Sequence, residues 1–111
     1  MVGGVRPVDD AEFRDVLLKA VDYGLLVFGE NVRKTIYERL ESYHQIKRGE
    51  IPEKLESFHG ALVGLFGGGG SVVERLIAKK LYLTLRLNFE AHDNWTLPEY
   101  VNHAKKAMRV G

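Results

Sequence analysis

Apolar residues recur every three or four positions along most of this chain, and that spacing predicts amphipathic helices. In the first helix Phe13, Leu17 and Val21 share one face, and Asp9 stands where a helix N-cap is expected. Continued along the chain, the same pattern predicts five helices, near residues 10–27, 30–45, 53–66, 71–86 and 97–109. Short connections between them predict an all-α bundle.

Four consecutive glycines, Gly67 to Gly70, separate the third and fourth predicted helices. Each glycine costs about 1 kcal/mol relative to alanine inside a helix, so this run divides the chain into two apolar segments that fold back on each other. Ser71 with Glu74, and Thr96 with Glu99, match the S/T-x-x-E capping box that begins a helix. Apolar residues cover more than half of the fourth helix, which predicts that it is central and mostly buried.

The composition is that of one globular domain, with 111 residues, 45% hydrophobic and 28% charged. We assign residues 1–111 to a single helical domain and residues 1–8 to a flexible N-terminal segment. The chain has no cysteine, which excludes disulfides and thiolate chemistry. Its most apolar stretch, Gly60 to Val73, is about half a membrane span and no signal peptide is visible, so we predict a cytoplasmic protein without a membrane partner.

A basic stripe is the main candidate for a binding site. Arg75, Lys79, Tyr82 and Arg86 fall on one narrow face of the fourth helix. Such a stripe suits nucleic-acid phosphates or an acidic partner, with Tyr82 available for stacking. However, 16 basic residues are balanced by 15 acidic ones, which argues against a general nucleic-acid coat protein. The favoured interpretation is the solvated strip of an otherwise buried helix.

The glycine-rich region allows two further interpretations. Free amides at Gly70 and Ser71 could bind an anion at the start of the fourth helix, but no lysine follows as in a P-loop, so a plain helix connection is favoured. On the third helix, Gly60 and Gly64 form a G-x-x-x-G pattern, which predicts that another helix packs closely there.

Catalytic and metal chemistry find little support in the sequence. Lys80 lies within the apolar arc of the fourth helix, where a lysine more often pairs or snorkels than acts as a catalyst. The four histidines form no H-x-x-x-H or H-E-x-x-H pair. We therefore predict no catalytic residues, no metal site, no cofactor and no enzymatic activity.

The order of several features resembles a known family. These features are the stretch from Val21 to Tyr37, the Ile51-Pro52 pair, the glycine turn, the segment Val72 to Ile77 and the Trp95-Thr96 pair. Together they resemble small archaeal all-helical domains described as Nitrosopumilus-type output domains, found in signalling and regulatory proteins. The resemblance covers about residues 21–107 and implies a non-enzymatic output or interaction module that acts through a separate partner or by self-association.

Two functional hypotheses follow. The first is a protein-interaction module that binds a partner or forms a homodimer through apolar residues at helix ends, of which Phe28, Phe66, Leu87 and Phe89 are candidates. The alternative is a nucleic-acid-binding regulator that uses the basic stripe. A salt titration of DNA binding separates the two hypotheses, because contacts to phosphates make the affinity for DNA fall steeply as the salt concentration rises.

Overall fold

The computed structural model describes residues 8–108 and confirms an all-α bundle. The five α-helices of this part of the chain are α1 (Asp10–Leu26), α2 (Glu30–His44), α3 (Leu55–Phe66), α4 (Gly70–Leu85) and α5 (Leu97–Met108). Two short 3-10 helices, Arg48–Glu53 and Gly67–Gly69, precede α3 and α4. Of the predicted flexible segment 1–8, only Val8 is described, and it is buried against the core.

Two of the three predicted helix caps form hydrogen bonds in the structure. The Glu12 amide donates to the Asp9 side chain (2.7 Å) at the start of α1. At the start of α5, the Thr96 amide donates to Glu99 Oε1 (2.7 Å), which is one half of a capping box.

The capping box predicted for Ser71 and Glu74 is wrong. Helix α4 begins one residue earlier, at Gly70, and the Ser71 hydroxyl donates to the Gly68 carbonyl (3.1 Å). The Glu74 side chain turns into the protein instead, because two partners from other helices are available there.

The glycine run forms a compact turn. Gly67 has a φ of 56°, a conformation that glycine adopts without steric cost, and it ends α3. Gly70 is buried, and a Cβ there would lie 3.1 Å from the Leu62 carbonyl oxygen. The turn therefore needs glycine for backbone conformation at its beginning and for close packing at its end.

Helix α4 is the centre of the bundle, as predicted. It packs against α1, α3 and α5. Its inward side chains are buried, and they comprise Val73, Glu74, Ile77, Ala78, Leu81, Tyr82 and Leu85. The closest approach is to α1, where a Cβ on Gly24 would lie 2.4 Å from Ile77 Cγ1 and 3.4 Å from the Ile77 amide nitrogen.

Helix α2 is less buried than its sequence pattern predicts. Ile36 and Leu40 are buried, but Val32 is 43% exposed and Tyr43 is 71% exposed, although all four share one face on a helical wheel. Only the middle of this face is covered by the neighbouring helices. Pro52 lies in the 3-10 helix that precedes α3.

Alanine substitutions at two helical glycines test the α1–α4 crossing. We expect Gly24→Ala to destabilise the fold by about 2 kcal/mol, because the added methyl group would overpack against buried Ile77. We expect Gly60→Ala to stabilise it by about 1 kcal/mol, because its Cβ would meet nothing within 4 Å and alanine favours helix. Urea denaturation of both variants measures the difference; equal effects would contradict the crossing as described.

Candidate functional site

The charged members of the basic stripe are exposed, but its aromatic member is not. Arg75, Lys79 and Arg86 lie at the surface, and Arg86 follows the helix end in a left-handed conformation (φ 61°). Tyr82 is 2% exposed and donates its hydroxyl proton to the Tyr100 carbonyl (2.7 Å). The stacking role predicted for Tyr82 on this face is therefore wrong, since its ring faces the core.

Part of the anion site predicted at the start of α4 is used internally. The Gly70 amide donates to the Gly67 carbonyl within the 3-10 turn, and the Ser71 hydroxyl donates to the Gly68 carbonyl. The Gly70 amide is therefore not available to an anion, which favours the plain helix connection.

Glu74 joins three helices through one buried carboxylate. The side chain is 3% exposed, and its Oε1 accepts from the Leu97 amide (3.0 Å) at the start of α5. Its Oε2 accepts from Nδ1 of His59 on α3 (2.5 Å). Because a buried carboxylate is costly without partners, these two bonds constrain how α3 and the start of α5 meet α4.

Lys80 snorkels towards solvent, which is one of the two arrangements that its position in the sequence favours. Its side chain is half-buried, and Nζ lies 4.7 Å from the centroid of the Tyr23 ring on α1. This cation–π contact keeps the charge near solvent while the stem covers apolar surface.

A second polar cluster connects α1, α2 and the first 3-10 helix. Arg48 donates two hydrogen bonds to Asp22, from Nε (2.9 Å) and Nη2 (2.6 Å), and the Tyr37 hydroxyl donates a third (2.5 Å). Burial tends to raise the pKa of Asp22, but the hydrogen bonds from Arg48 and Tyr37 outweigh it and lower that pKa. Burial and the Asp22 carboxylate raise the pKa of Tyr37. With its donors and acceptors paired internally, this cluster acts as a structural connection.

An apolar groove between α2 and α3 is a candidate binding site. Its volume is about 300 Å³, and Val32, Ile36, Leu65 and Phe66 form its apolar lining. At one end Phe28 stacks on Phe66 with ring centroids 5.0 Å apart, and Phe28 remains 39% exposed. We call Phe28, Val32, Leu65 and Phe66 the Phe28–Phe66 surface.

The polar residues of this groove lie around its apolar lining. Asn31, Thr35 and Arg39 complete the lining. An apolar centre with aromatic residues, bordered by polar groups and an arginine, is typical of protein–protein interfaces.

The G-x-x-x-G pattern does not serve packing within this domain. Gly60 and Gly64 are exposed, and a Cβ at either position would meet nothing within 4 Å. The close helix contact predicted for them is therefore wrong; close contacts involve Gly24 and Gly70 instead. Sequence spacing could not distinguish these glycines, since the distinction depends on which side of each helix is covered.

The described residues also bear on the metal and membrane predictions. Within residues 8–108, no three His, Asp or Glu side chains are grouped to hold a metal ion. The run Leu55–Leu85, from α3 through the glycine turn to α4, is long and apolar enough to cross a membrane by length and composition alone. The core helices of soluble proteins pass the same test, and here Phe58, Leu62 and Ile77 are buried in the bundle. The absence of a membrane partner stays a prediction.

Removal of the Glu74 carboxylate should destabilise the bundle strongly. We expect Glu74→Ala to lower the free energy of unfolding by about 3 kcal/mol, because it leaves the Leu97 amide and His59 without their buried partner. Glu56→Ala, on the exposed side of α3, is the matched control and should stay within about 0.5 kcal/mol. Chemical denaturation of both variants compares them; similar effects would contradict a connecting role for Glu74.

Comparisons with known protein families, with curated proteins and with solved structures find no match to this chain. The resemblance to archaeal output domains therefore stays a prediction. Functional inference rests on the surfaces described above.

Proposed function

We propose that this protein is a non-enzymatic interaction module that self-associates through the Phe28–Phe66 surface. The observation that carries the proposal is the clustering of large, partly exposed apolar side chains around one groove. Exposed apolar groups in a contiguous patch mark interaction sites more often than single exposed residues do. This surface thus supplies the apolar contact that the first hypothesis requires.

The favoured occupant of the groove is a second copy of the same chain. The formal net charge is only +1, so two copies repel each other weakly. Helix α2 exposes both signs of charge: Arg39 lines the groove, whereas Lys34, Glu38 and Glu41 lie on another side of the helix. A two-fold arrangement places the same apolar patch on both partners, so that each copy covers the patch of the other.

The wider biological setting is proposed on the resemblance noted in the sequence. Small archaeal output domains imply a cytoplasmic signalling or regulatory system in which such a module passes information by contact. Self-association through an apolar patch is consistent with that role and needs no cofactor.

A charge placed in the groove tests self-association. We expect the unmodified chain to dimerise and Val32→Glu to weaken the dimer at least about tenfold, because the carboxylate would lose water at an apolar contact. Leu83→Glu is the matched control, since Leu83 is equally apolar, 71% exposed and outside the groove. Sedimentation velocity over a range of concentrations measures all three. A strict monomer at high concentration, or equal weakening by both variants, would reject the proposal.

The nucleic-acid alternative keeps one supporting observation, the joint exposure of Arg75, Lys79 and Arg86. If these side chains contact phosphates, replacing all three by alanine should weaken DNA binding and flatten its dependence on salt by about 0.9 per lost contact. Fluorescence anisotropy at several salt concentrations measures this slope. An absence of binding at low salt would rule out the alternative.

A further inference from the structure

A cavity on another part of the molecule shares no residue with the Phe28–Phe66 surface. Its volume is about 440 Å³, and it lies where the segment after α4 meets α5. The lining consists of Tyr82, Asn88, Glu90, His92, Trp95 and His103. This volume falls in the range of about 300–1,000 Å³ that is typical of small-molecule sites.

Aromatic rings form most of the wall of this cavity. Trp95 stacks on His92 with centroids 4.0 Å apart and contacts His103 at 5.5 Å. His103 in turn lies nearly parallel to Tyr82, with centroids 6.2 Å apart. The rings of His92, Trp95 and His103 are thus grouped around one space, and Tyr82, which is 2% exposed, supports His103 from the buried side.

Hydrogen bonds hold this wall in place. The Tyr100 hydroxyl accepts from the His92 amide (2.9 Å) and donates to the His92 carbonyl (3.2 Å), which ties the loop to α5. Tyr82 is tied to the Tyr100 carbonyl (2.7 Å), and burial, with a smaller effect of Tyr100, raises the pKa of Tyr82 to about 12. Because these hydrogen bonds hold the loop and the rings in place, a ligand would meet a wall that is already ordered.

The charge of the cavity favours a cation. Glu90 contributes a carboxylate, and neither lysine nor arginine contributes to the lining. Glu90 makes no ion pair or hydrogen bond with any residue of the described chain, so its charge is available to a ligand. Aromatic faces are electron-rich and attract cations, Trp most strongly, whereas an anion here would be repelled by the carboxylate.

We propose that this cavity binds a methylated ammonium group, with the Trp95 indole contacting the cation, His92 and His103 packing against its methyl groups and Glu90 neutralising its charge. Methyl groups make such a cation easy to desolvate, which suits an aromatic wall better than a strongly hydrated metal ion. The group is carried either by a small quaternary amine or by a trimethylated lysine in a peptide. Both present the same chemistry to the cavity.

A pair of isosteric probes tests the charge requirement. Trp95 is the only tryptophan of the chain, so its fluorescence reports binding directly. We expect choline to change this fluorescence and to bind about tenfold more tightly than 3,3-dimethylbutan-1-ol, which has the same shape without the charge. Equal binding of the two probes, or no response to choline at concentrations of about 50 mM, well above the millimolar range of weak sites, would overturn the proposal.

Variants test whether Glu90 and Trp95 contribute to choline binding. Isothermal titration calorimetry measures the affinity, because its signal does not depend on tryptophan fluorescence. We expect Glu90→Gln to weaken choline binding about threefold to tenfold and Trp95→Leu to abolish it. Glu41→Gln, an exposed carboxylate on α2, is the matched control and should bind as the unmodified chain does. Circular dichroism checks that each variant folds; if Trp95→Leu does not, Glu90→Gln alone decides. Unchanged binding by Glu90→Gln would overturn the proposal.

A trimethyl-lysine peptide and its unmethylated counterpart distinguish the two sources of the cation. Tighter binding of the methylated peptide than of choline indicates a peptide ligand, and the reverse order indicates a free amine. Either order supports the methylated ammonium site. Tighter binding of the unmethylated peptide than of both would contradict it.

Discussion

The close crossing of α1 and α4 at Gly24 is the contact on which the rest of the bundle depends. A side chain at this position would enter the space of Ile77, so only glycine lets the two backbones approach this far. This approach buries Ile77 and its neighbours Leu81 and Ala78 completely. Because α4 is then covered on its α1 side, α3 and α5 are left to cover its remaining faces.

Glu74 adds a directional constraint to this apolar core. Burial of apolar area brings helices together but does not fix their rotation or their ends. The buried Glu74 carboxylate constrains both, because one oxygen accepts a hydrogen bond from the first amide of α5 and the other accepts one from His59 of α3. The same residue that appears in sequence to cap its own helix thus caps a different one.

Both proposed binding surfaces lie where this core ends. Helix α2 is covered only over its middle, so Val32 and Phe28 remain at the edge of a groove that the small bundle does not fill. The irregular segment between α4 and α5 likewise carries aromatic rings that pack on one another around a space open to solvent. In a domain of this size few residues are left to cover such edges.

Local sequence determined the helices, because their causes act within a few residues. The spacing of Phe13, Leu17 and Val21, the cap at Asp9 and the break at Gly67 all place helix boundaries close to those observed. The sequence also indicated a central α4, since its apolar arc is too wide for a surface helix. It indicated the exposure of Arg75 and Lys79 by the same periodicity.

Only the tertiary structure decided which faces are covered and by what. Tyr82 lies within the basic stripe on a helical wheel, yet its ring is buried because Tyr100 and Phe89 pack against it. Gly60 and Gly64 have the sequence spacing of a close helix contact, but a Cβ at either position would meet nothing within 4 Å. The close helix contact is made by Gly24, which packs against Ile77. The aromatic cavity combines α4, the following loop and α5, so no single stretch of sequence contains it. Periodicity reports the geometry of one helix, whereas burial depends on neighbours that are distant in the chain.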